Sequence, residues 1–500
     1  MIKKFKRVLV ANRGEIALRI IRTLQELNIE SVAIFSDEDE NSYYLKYADI
    51  CYRLNGQNLA ETYLDIPQII SIIEKTNCDA VHPGYGFLSE NSFFVEALEK
   101  KKISFIGPKS STIKLLGNKV IARKIMTKNK IACVPGSIAP ISSLAKLEDE
   151  IKNVDFPIII KAAAGGGGRG MRVVKKKEDL KNCVAECKRE AKTYFNNDEV
   201  FWEKYIENPR HIEVQILADS HGHAVHFFER DCSIQRRHQK LIEEAPSSFL
   251  DKEQRKSITN IALKIAEVTQ YENAGTVEFI GEEPDKMFFM EVNPRIQVEH
   301  PVSEMITGYN LIREQILCAQ GLPLTMKQEQ IIVRGHAIEV RINSEDPENE
   351  FIPSFGKIKD LNLPLMPFTR IDTHIYNNYQ VPTSYDSMLA KVISWGQSRR
   401  DALKRMKLML EELEINGIAT TQRFHQAILN QKKFLSGDYT THFISEEMND
   451  FGKEKKSEPI LPEDFIISLI LSEIKESKKD SKMINLNLNN WNNHARTQNF

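Results

Sequence analysis

The chain has 500 residues, 41% of them hydrophobic and 27% charged, with a formal net charge of −1. That balance is globular, leaves room for roughly three domains at about 150 residues each, and excludes a largely disordered or collagen-like chain. With Lys and Arg cancelling Asp and Glu, no global basic field for nucleic acid exists, and no apolar run approaches the roughly 18 residues of a membrane helix, so neither partner is expected.

The N-terminus, M-I-K-K-F-K-R-V-L-V-A-N, is basic but lacks the apolar core of about 7–15 residues that a secretory signal needs. The seven cysteines are odd in number, scattered and free of any C-x-x-C pair, which reads as reduced thiols of a cytosolic protein.

In chain order, strands are expected over 8–11, 31–35, 80–81 and 103–106, and helices over 16–27, 66–73 and 93–98. Strands alternating with helices imply a parallel sheet with right-handed crossovers. The texture changes after about residue 134. Strands over 158–161 and 172–174 flank A-A-A-G-G-G-G-R-G-M, then come a charged helix (178–192) and a strand (200–206). This reads as a small lid whose glycine-rich tip moves. Longer strands follow over 212–217, 224–229, 276–280 and 287–292, with helices over 252–269 and 311–320. A further α+β portion spans 335–448. The polar tail, 449–500, holds one short amphipathic helix (465–474), for which partner docking is favoured over self-packing.

Gly165, Gly167 and Gly170 satisfy G-x-G-x-x-G, but a strand follows where a dinucleotide fingerprint needs a helix. A backbone flap closing over phosphates fits better, and a plain exposed turn is the bland alternative. No P-loop exists. Lys161 ends the apolar strand I-I-I-K beside that flap, and Lys119 lies in G-N-K; both suit nucleotide phosphates. Glu278 and Glu291 each sit in an apolar strand, joined by the short connection E-E-P-D-K. An antiparallel pair would bring both carboxylates to one hard cation, unless they are edge charges paired with lysines. In N-P-R-I-Q-V-E-H-P, Asn293, Arg295, Gln297 and Glu299 alternate with apolar or proline residues, so an extended segment would put all four on one face. The basic stretch E-R-D-C-S-I-Q-R-R-H-Q-K (229–240) reads as an anion-handling loop, and Arg341 is polar on an alternating strand. R-M-K-L-M (405–409) is similar to a biotin-acceptor hairpin, yet Leu403, Met406, Leu410 and Leu413 have helical spacing, which makes Lys407 a solvent-facing helix residue.

Together these residues resemble the biotin carboxylase family of ATP-grasp enzymes over about 6–448. The matching signatures are A-N-R-G-E-I-A-L-R-I (11–20), H-P-G-Y-G-F-L-S-E-N (82–91), K-A-A-A-G-G-G-G-R-G-M (161–171), the basic stretch, N-P-R-I-Q-V-E-H-P (293–301) and Y-D-S-M-L-A-K (385–391). The resemblance implies an α/β fold: a Rossmann-like parallel-sheet domain (1–115), an ATP-grasp domain (116–330) with a mobile glycine-rich lid (about 134–204), and an α+β C-terminal domain (335–448). It implies ATP binding by Lys119, Lys161, Gly167, Gly168, the hinge Glu203, Lys204, Tyr205 and Ile206, His211, Gln235 and His238. Magnesium or manganese would sit on Glu278, Glu291 and Asn293. Bicarbonate would be held by Lys240, Arg295, Gln297 and Val298 and deprotonated by Glu299. Arg341, with Tyr85 and Gly86, would face biotin. The implied reaction is ATP- and bicarbonate-dependent carboxylation of biotin on a separate carrier protein, through carboxyphosphate. The expected setting is a cytoplasmic homodimer working with that carrier and a carboxyltransferase. Another ATP-grasp ligase that traps an acyl phosphate with an amine is the alternative reaction, and a catalytically dead nucleotide-binding scaffold is the alternative class.

Overall fold

The computed structural model describes residues 2–163 and 170–452. The flap tip at 164–169, with Gly167 and Gly168, and the helix expected over 465–474 therefore lie outside the described residues. The elements below belong to the unit Met1–Asn449; of the unit Asp450–Phe500 only the first residues, to 452, are described.

Five parallel strands, β1 (Arg7–Val10), β2 (Glu30–Phe35), β3 (Ile50–Arg53), β4 (Ala80–His82) and β5 (Ser104–Phe105), lie in the order β3-β2-β1-β4-β5. Helices α1 (Gly14–Glu26), α2 (Ile66–Thr76) and α3 (Ser92–Lys100) connect them. The face of α1 that carries Ile16, Ile20 and Leu24 is buried, as its spacing predicts. Strand β3 is an edge strand of half-buried and exposed residues, so it carries no apolar run to announce it. Helices α4 (Ser110–Gly117) and α5 (Lys119–Lys128) follow; the Asn118 side chain caps α5 by accepting from the Ile121 N–H.

The lid comprises α6 (Leu144–Glu150), β6 (Ile158–Ala162), β7 (Met171–Val174), α7 (Leu180–Phe195) and β8 (Val200–Lys204). Its antiparallel sheet runs β7-β6-β8, so the strands beside the glycine run do form a hairpin.

The longer strands that follow are β9 (Arg210–Ala218), β10 (Ala224–Arg236), β11 (Gln239–Ala245), β12 (Asn273–Gly281), β13 (Phe288–Asn293), β14 (His336–Asn343), β15 (Thr369–Thr373) and β16 (Met388–Gly396). They form one antiparallel sheet in the order β13-β12-β9-β10-β11-β14-β16-β15. Helices α8 (Lys252–Val268), α9 (His300–Thr307), α10 (Leu311–Ala319) and α11 (Arg399–Glu412) accompany it. Lys407 lies on the partly exposed flank of α11 and donates to Asn430 Oδ1 at 2.7 Å, so the apparent biotin acceptor is a helix residue.

Two expectations are corrected. The basic stretch 229–240 is not a loop: β10 carries it to Arg236, and Arg237 and His238, at φ 49° and 66°, form a tight two-residue turn into β11. Segment 293–301 is not extended either. It bends after Asn293 and enters α9, where Glu299 is the N-cap residue and Pro301 occupies the first turn, with φ fixed near its helical value.

Glu304 on α9 joins three distant segments. It pairs with Arg19 of α1 at 3.0 Å and Arg370 of β15 at 2.6 Å, and accepts from the Leu311 N–H at 2.7 Å. Burial would raise its pKa, but the two guanidinium groups win and hold it at about 2. A depressed carboxyl stabilises the fold above its unfolded value of about 4.3 and loses that contribution as pH falls toward 2; the interval is worth at most about 3 kcal/mol. We therefore expect the melting temperature to fall between pH 5 and 3, with a shallower slope for Glu304→Gln. Equal slopes in calorimetry would contradict this.

Candidate active site

A cavity of about 580 Å³ opens where the large sheet, the lid and the loop after β4 meet. Lys119, Lys161, Glu203, Lys204, Tyr205, Ile206, His211, Gln235, His238, Lys240, Glu278, Glu291, Asn293, Arg295, Gln297, Val298, Arg341, Tyr85 and Gly86 all line it. Glu299 does not: it is fully buried behind the wall and reaches the cavity only through Lys240 and Arg341.

The sheet register explains the charge pattern. Glu291, Glu278, Glu213 and Arg230 stand directly opposite one another across β13, β12, β9 and β10, so they project to one face. Lys240 Nζ sits among three carboxylates, 2.6 Å from Glu213, 3.0 Å from Glu278 and 2.7 Å from Glu299. Arg230, fully buried, binds Glu213 at 2.5 Å and also reaches Gln215, Ser303 and Thr276. Arg230 is thus an internal counter-charge with no access to a bound anion. Of the basic stretch, Gln235, His238, Gln239 and Lys240 face the cavity.

Burial opposes the charge on Glu278, yet Lys240 and His211 hold its pKa far below the usual range; His211 Nε2 lies 3.2 Å away. Asn293 Nδ2 donates to Glu278 Oε1 at 2.8 Å, and Gln235 Nε2 meets His211 Nδ1 at 2.6 Å. Glu291 pairs with Lys119 at 2.6 Å. Glu203 binds Lys161 at 2.5 Å and also Arg123, so this hinge carboxylate holds a cavity lysine from the side. Arg295 is fastened by Glu90 at 2.5 Å and Gln297 at 2.7 Å. Glu299 is held well below its ordinary pKa: burial would raise it, but Lys240, Arg341 and Arg230 outweigh that.

The donor set fits a hard divalent ion. Two carboxylates opposite each other on neighbouring strands, with an amide oxygen two residues beyond Glu291, offer oxygen ligands only.

Sequence reasoning missed several lining residues. Val134, Ile159, Met171, Ile280 and Met290 form an apolar sleeve around the lid side. Thr441 and His442 arrive from the far C-terminal region; the Thr441 N–H donates to Pro209 O at 2.9 Å, and His442 Nε2 lies 3.3 Å from the Tyr205 hydroxyl. Glu213 was missed although it is a carboxylate in an apolar strand, the pattern that marked Glu278 and Glu291.

Three family models cover most of the chain: the biotin carboxylase N-terminal domain over 4–113, the ATP-binding domain of the carbamoyl-phosphate synthase L chain over 118–327, and the biotin carboxylase C-terminal domain over 339–446. A biotin carboxylase of Haemophilus influenzae is 48% identical over 444 residues, covering 89% of this chain and 99% of the relative. A biotin carboxylase of a Nostoc species is 46% identical over 446 residues, covering 89% of this chain and 100% of the relative. Among solved structures, a biotin carboxylase complex from Campylobacter jejuni superposes with a TM-score of 0.86 at 43% identity, covering 88% of this chain and 99% of that one. The biotin carboxylase domain dimer of the Hydrogenobacter thermophilus 2-oxoglutarate carboxylase, solved with MgADP and bicarbonate, gives a TM-score of 0.86 at 41% identity, covering 89% and 98%. With its ATP-grasp architecture and Rossmann-like N-terminal sheet, this chain belongs to the biotin carboxylase family.

Proposed function

We propose that the chain carboxylates biotin on a separate carrier protein, using ATP and bicarbonate through a carboxyphosphate intermediate. The observation that carries this reading is the convergence of Lys240, Arg295, Arg341 and buried Glu299 at one end of a cavity whose other end is apolar and flanked by Lys119 and Lys161. The sleeve of Ile159, Met171 and Ile280 suits a nucleotide base, with Glu203 to Ile206 alongside. Lys119 and Lys161 neutralise its phosphates. Glu278, Glu291 and Asn293 would hold Mg²⁺ or Mn²⁺, which when bound supplies charge neutralisation to the transferring phosphoryl group.

Glu299 is the base in this scheme, yet a carboxylate so acidic is a poor one. Bicarbonate resolves the conflict. Its negative charge competes for Lys240 and Arg341, and as their hold on Glu299 weakens that carboxylate regains basicity. Deprotonated bicarbonate then attacks the γ-phosphorus, and carboxyphosphate forms with loss of ADP. Carboxyphosphate breaks down to CO₂ and phosphate, the phosphate removes the biotin N1′ proton, and Arg341 stabilises the resulting enolate. The lid excludes water from an intermediate that hydrolyses readily.

The chain is read as the first-half-reaction component of a cytoplasmic biotin-dependent carboxylase, a homodimer working with a biotinylated carrier and a carboxyltransferase. The division at 1–115, 116–330, 335–448 and 449–500 is proposed with it. The test is ADP release with bicarbonate, Mg²⁺ and free biotin supplied singly and together. Full turnover is expected only with all three present; ATP cleavage indifferent to biotin and bicarbonate would overturn the reading.

A further inference from the structure

We propose that Glu243 is a positioning residue that anchors the Arg341 guanidinium while Glu299 releases it. The inference rests on the reading of the site given above. Arg341 is bracketed by two buried carboxylates. Its Nε donates to Glu243 Oε1 at 2.6 Å and its Nη2 lies 2.5 Å from the same oxygen, while that Nη2 reaches Glu299 Oε2 at 2.9 Å. Glu299 must gain a proton during the reaction and so weaken its hold. Glu243 has no such duty. It lies off the cavity wall, fully buried on β11, and keeps two contacts to the guanidinium.

Glu243 stands directly opposite Glu339 in the β11–β14 ladder, and both side chains are shut off from water. Two such carboxyls do not both ionise. Glu339 has no hydrogen-bond partner on either oxygen, whereas Glu243 has Arg341 on one oxygen and none on the other. Glu339 is therefore the neutral member and Glu243 the ionised one. Burial pushes Glu339 well above the carboxylate range, with Lys391 opposing; burial also raises Glu243, to about 7, with Arg341 opposing. Glu299 also acts on both members, Lys240 on Glu243 and Arg341 on Glu339, while across β16 Glu339 faces Ile393. A neutral Glu339 spares Glu243 a facing negative charge and so favours the ionised form that grips Arg341.

The test is steady-state kinetics with free biotin, alongside thermal melts. Glu243→Gln should lower kcat/KM for biotin by about ten- to a hundred-fold, because the guanidinium loses its fixed orientation. KM for ATP should stay within about two-fold and Glu243→Asp should recover part of the loss. Glu339→Gln, which copies a neutral carboxyl in shape, should stay within about two-fold of wild type. In an Arg341→Met background Glu243→Gln should add no further loss, since the two act through one group. Unchanged biotin kinetics in Glu243→Gln would overturn the proposal. So would an equal loss in Glu339→Gln with a parallel fall in melting temperature, or a full additional loss in the Arg341→Met background. Should Glu243→Gln fail to fold, Glu243→Asp carries the same comparisons, with no loss on biotin as the overturning result. Wild-type protein without biotin-dependent turnover would instead refute the functional reading.

Discussion

If Glu299 is the base proposed above, Glu299→Gln should retain ATP binding and lose about 10²–10⁴-fold in turnover, the range that removal of a general base typically costs. Glutamine preserves the size and accepting oxygen at a fully buried position and removes one negative charge and the ability to take a proton. Its neighbours sharpen the expectation. Lys240 at 2.7 Å and Arg341 at 2.9 Å lose a shared partner, but each keeps others: Glu213 and Glu278 for the lysine, Glu243 for the arginine. The variant should therefore fold, melt near the wild-type temperature and bind nucleotide in calorimetry. A kcat above half of wild type would assign the base elsewhere.

Lys240→Met should damage both fold and activity. One ammonium is the common counter-charge of Glu213, Glu278 and Glu299, and Glu213 and Glu299 are completely shielded from water. Deleting the cation leaves like charges confronting each other in low dielectric, a class of change that costs about 3–5 kcal/mol. Arg230 offsets part of this at Glu213 only. The sign of the pH dependence follows. Without Lys240 the folded-state carboxyl pKa values rise, so the variant binds protons more tightly when folded and its deficit shrinks as pH falls from 8 toward 5. Thermal melts at both ends of that range check it, together with the expected loss of bicarbonate-dependent ADP release. A melting temperature within about 2 °C of wild type at pH 8 would show that the three carboxylates do not depend on this lysine.

The contrast between Glu278 and Glu213 shows what one-dimensional reading can reach. Each is a carboxylate in an apolar strand, but Glu278 and Glu291 belong to consecutive strands with a short connection, so their meeting follows from a local hairpin. Glu213 meets them only because β9 is inserted beside β12, a pairing across more than fifty residues that no local pattern encodes. Arg230 fails for the opposite reason. It opens a charged stretch, between Glu229 and Asp231, that suggests a solvated run, while the buried register of β10 turns it inward. Strand periodicity made 293–301 look extended, and the proline-assisted start of α9 overrode it. Ile159, Met171 and Ile280 were invisible as site residues because a base-binding wall and a core wall use the same side chains. Thr441 and His442 depend on the C-terminal segment being carried back to the sheet, where the Arg210 guanidinium lies 3.9 Å from the centre of the Tyr439 ring and donates to Gly437 O at 3.0 Å.

The ladder between β11 and β14 has a meaning for how such genes recombine. The ATP-binding and C-terminal family models part between 327 and 339, yet Ile242 pairs with Val340 and Ala245 with Ala337 across that seam. A crossover there joins two halves that must keep matching backbone registers, since a slip of one residue would put Arg341 on the opposite face of the sheet from Glu243. A chimera cut at that seam is therefore expected to fold only when both halves keep this register.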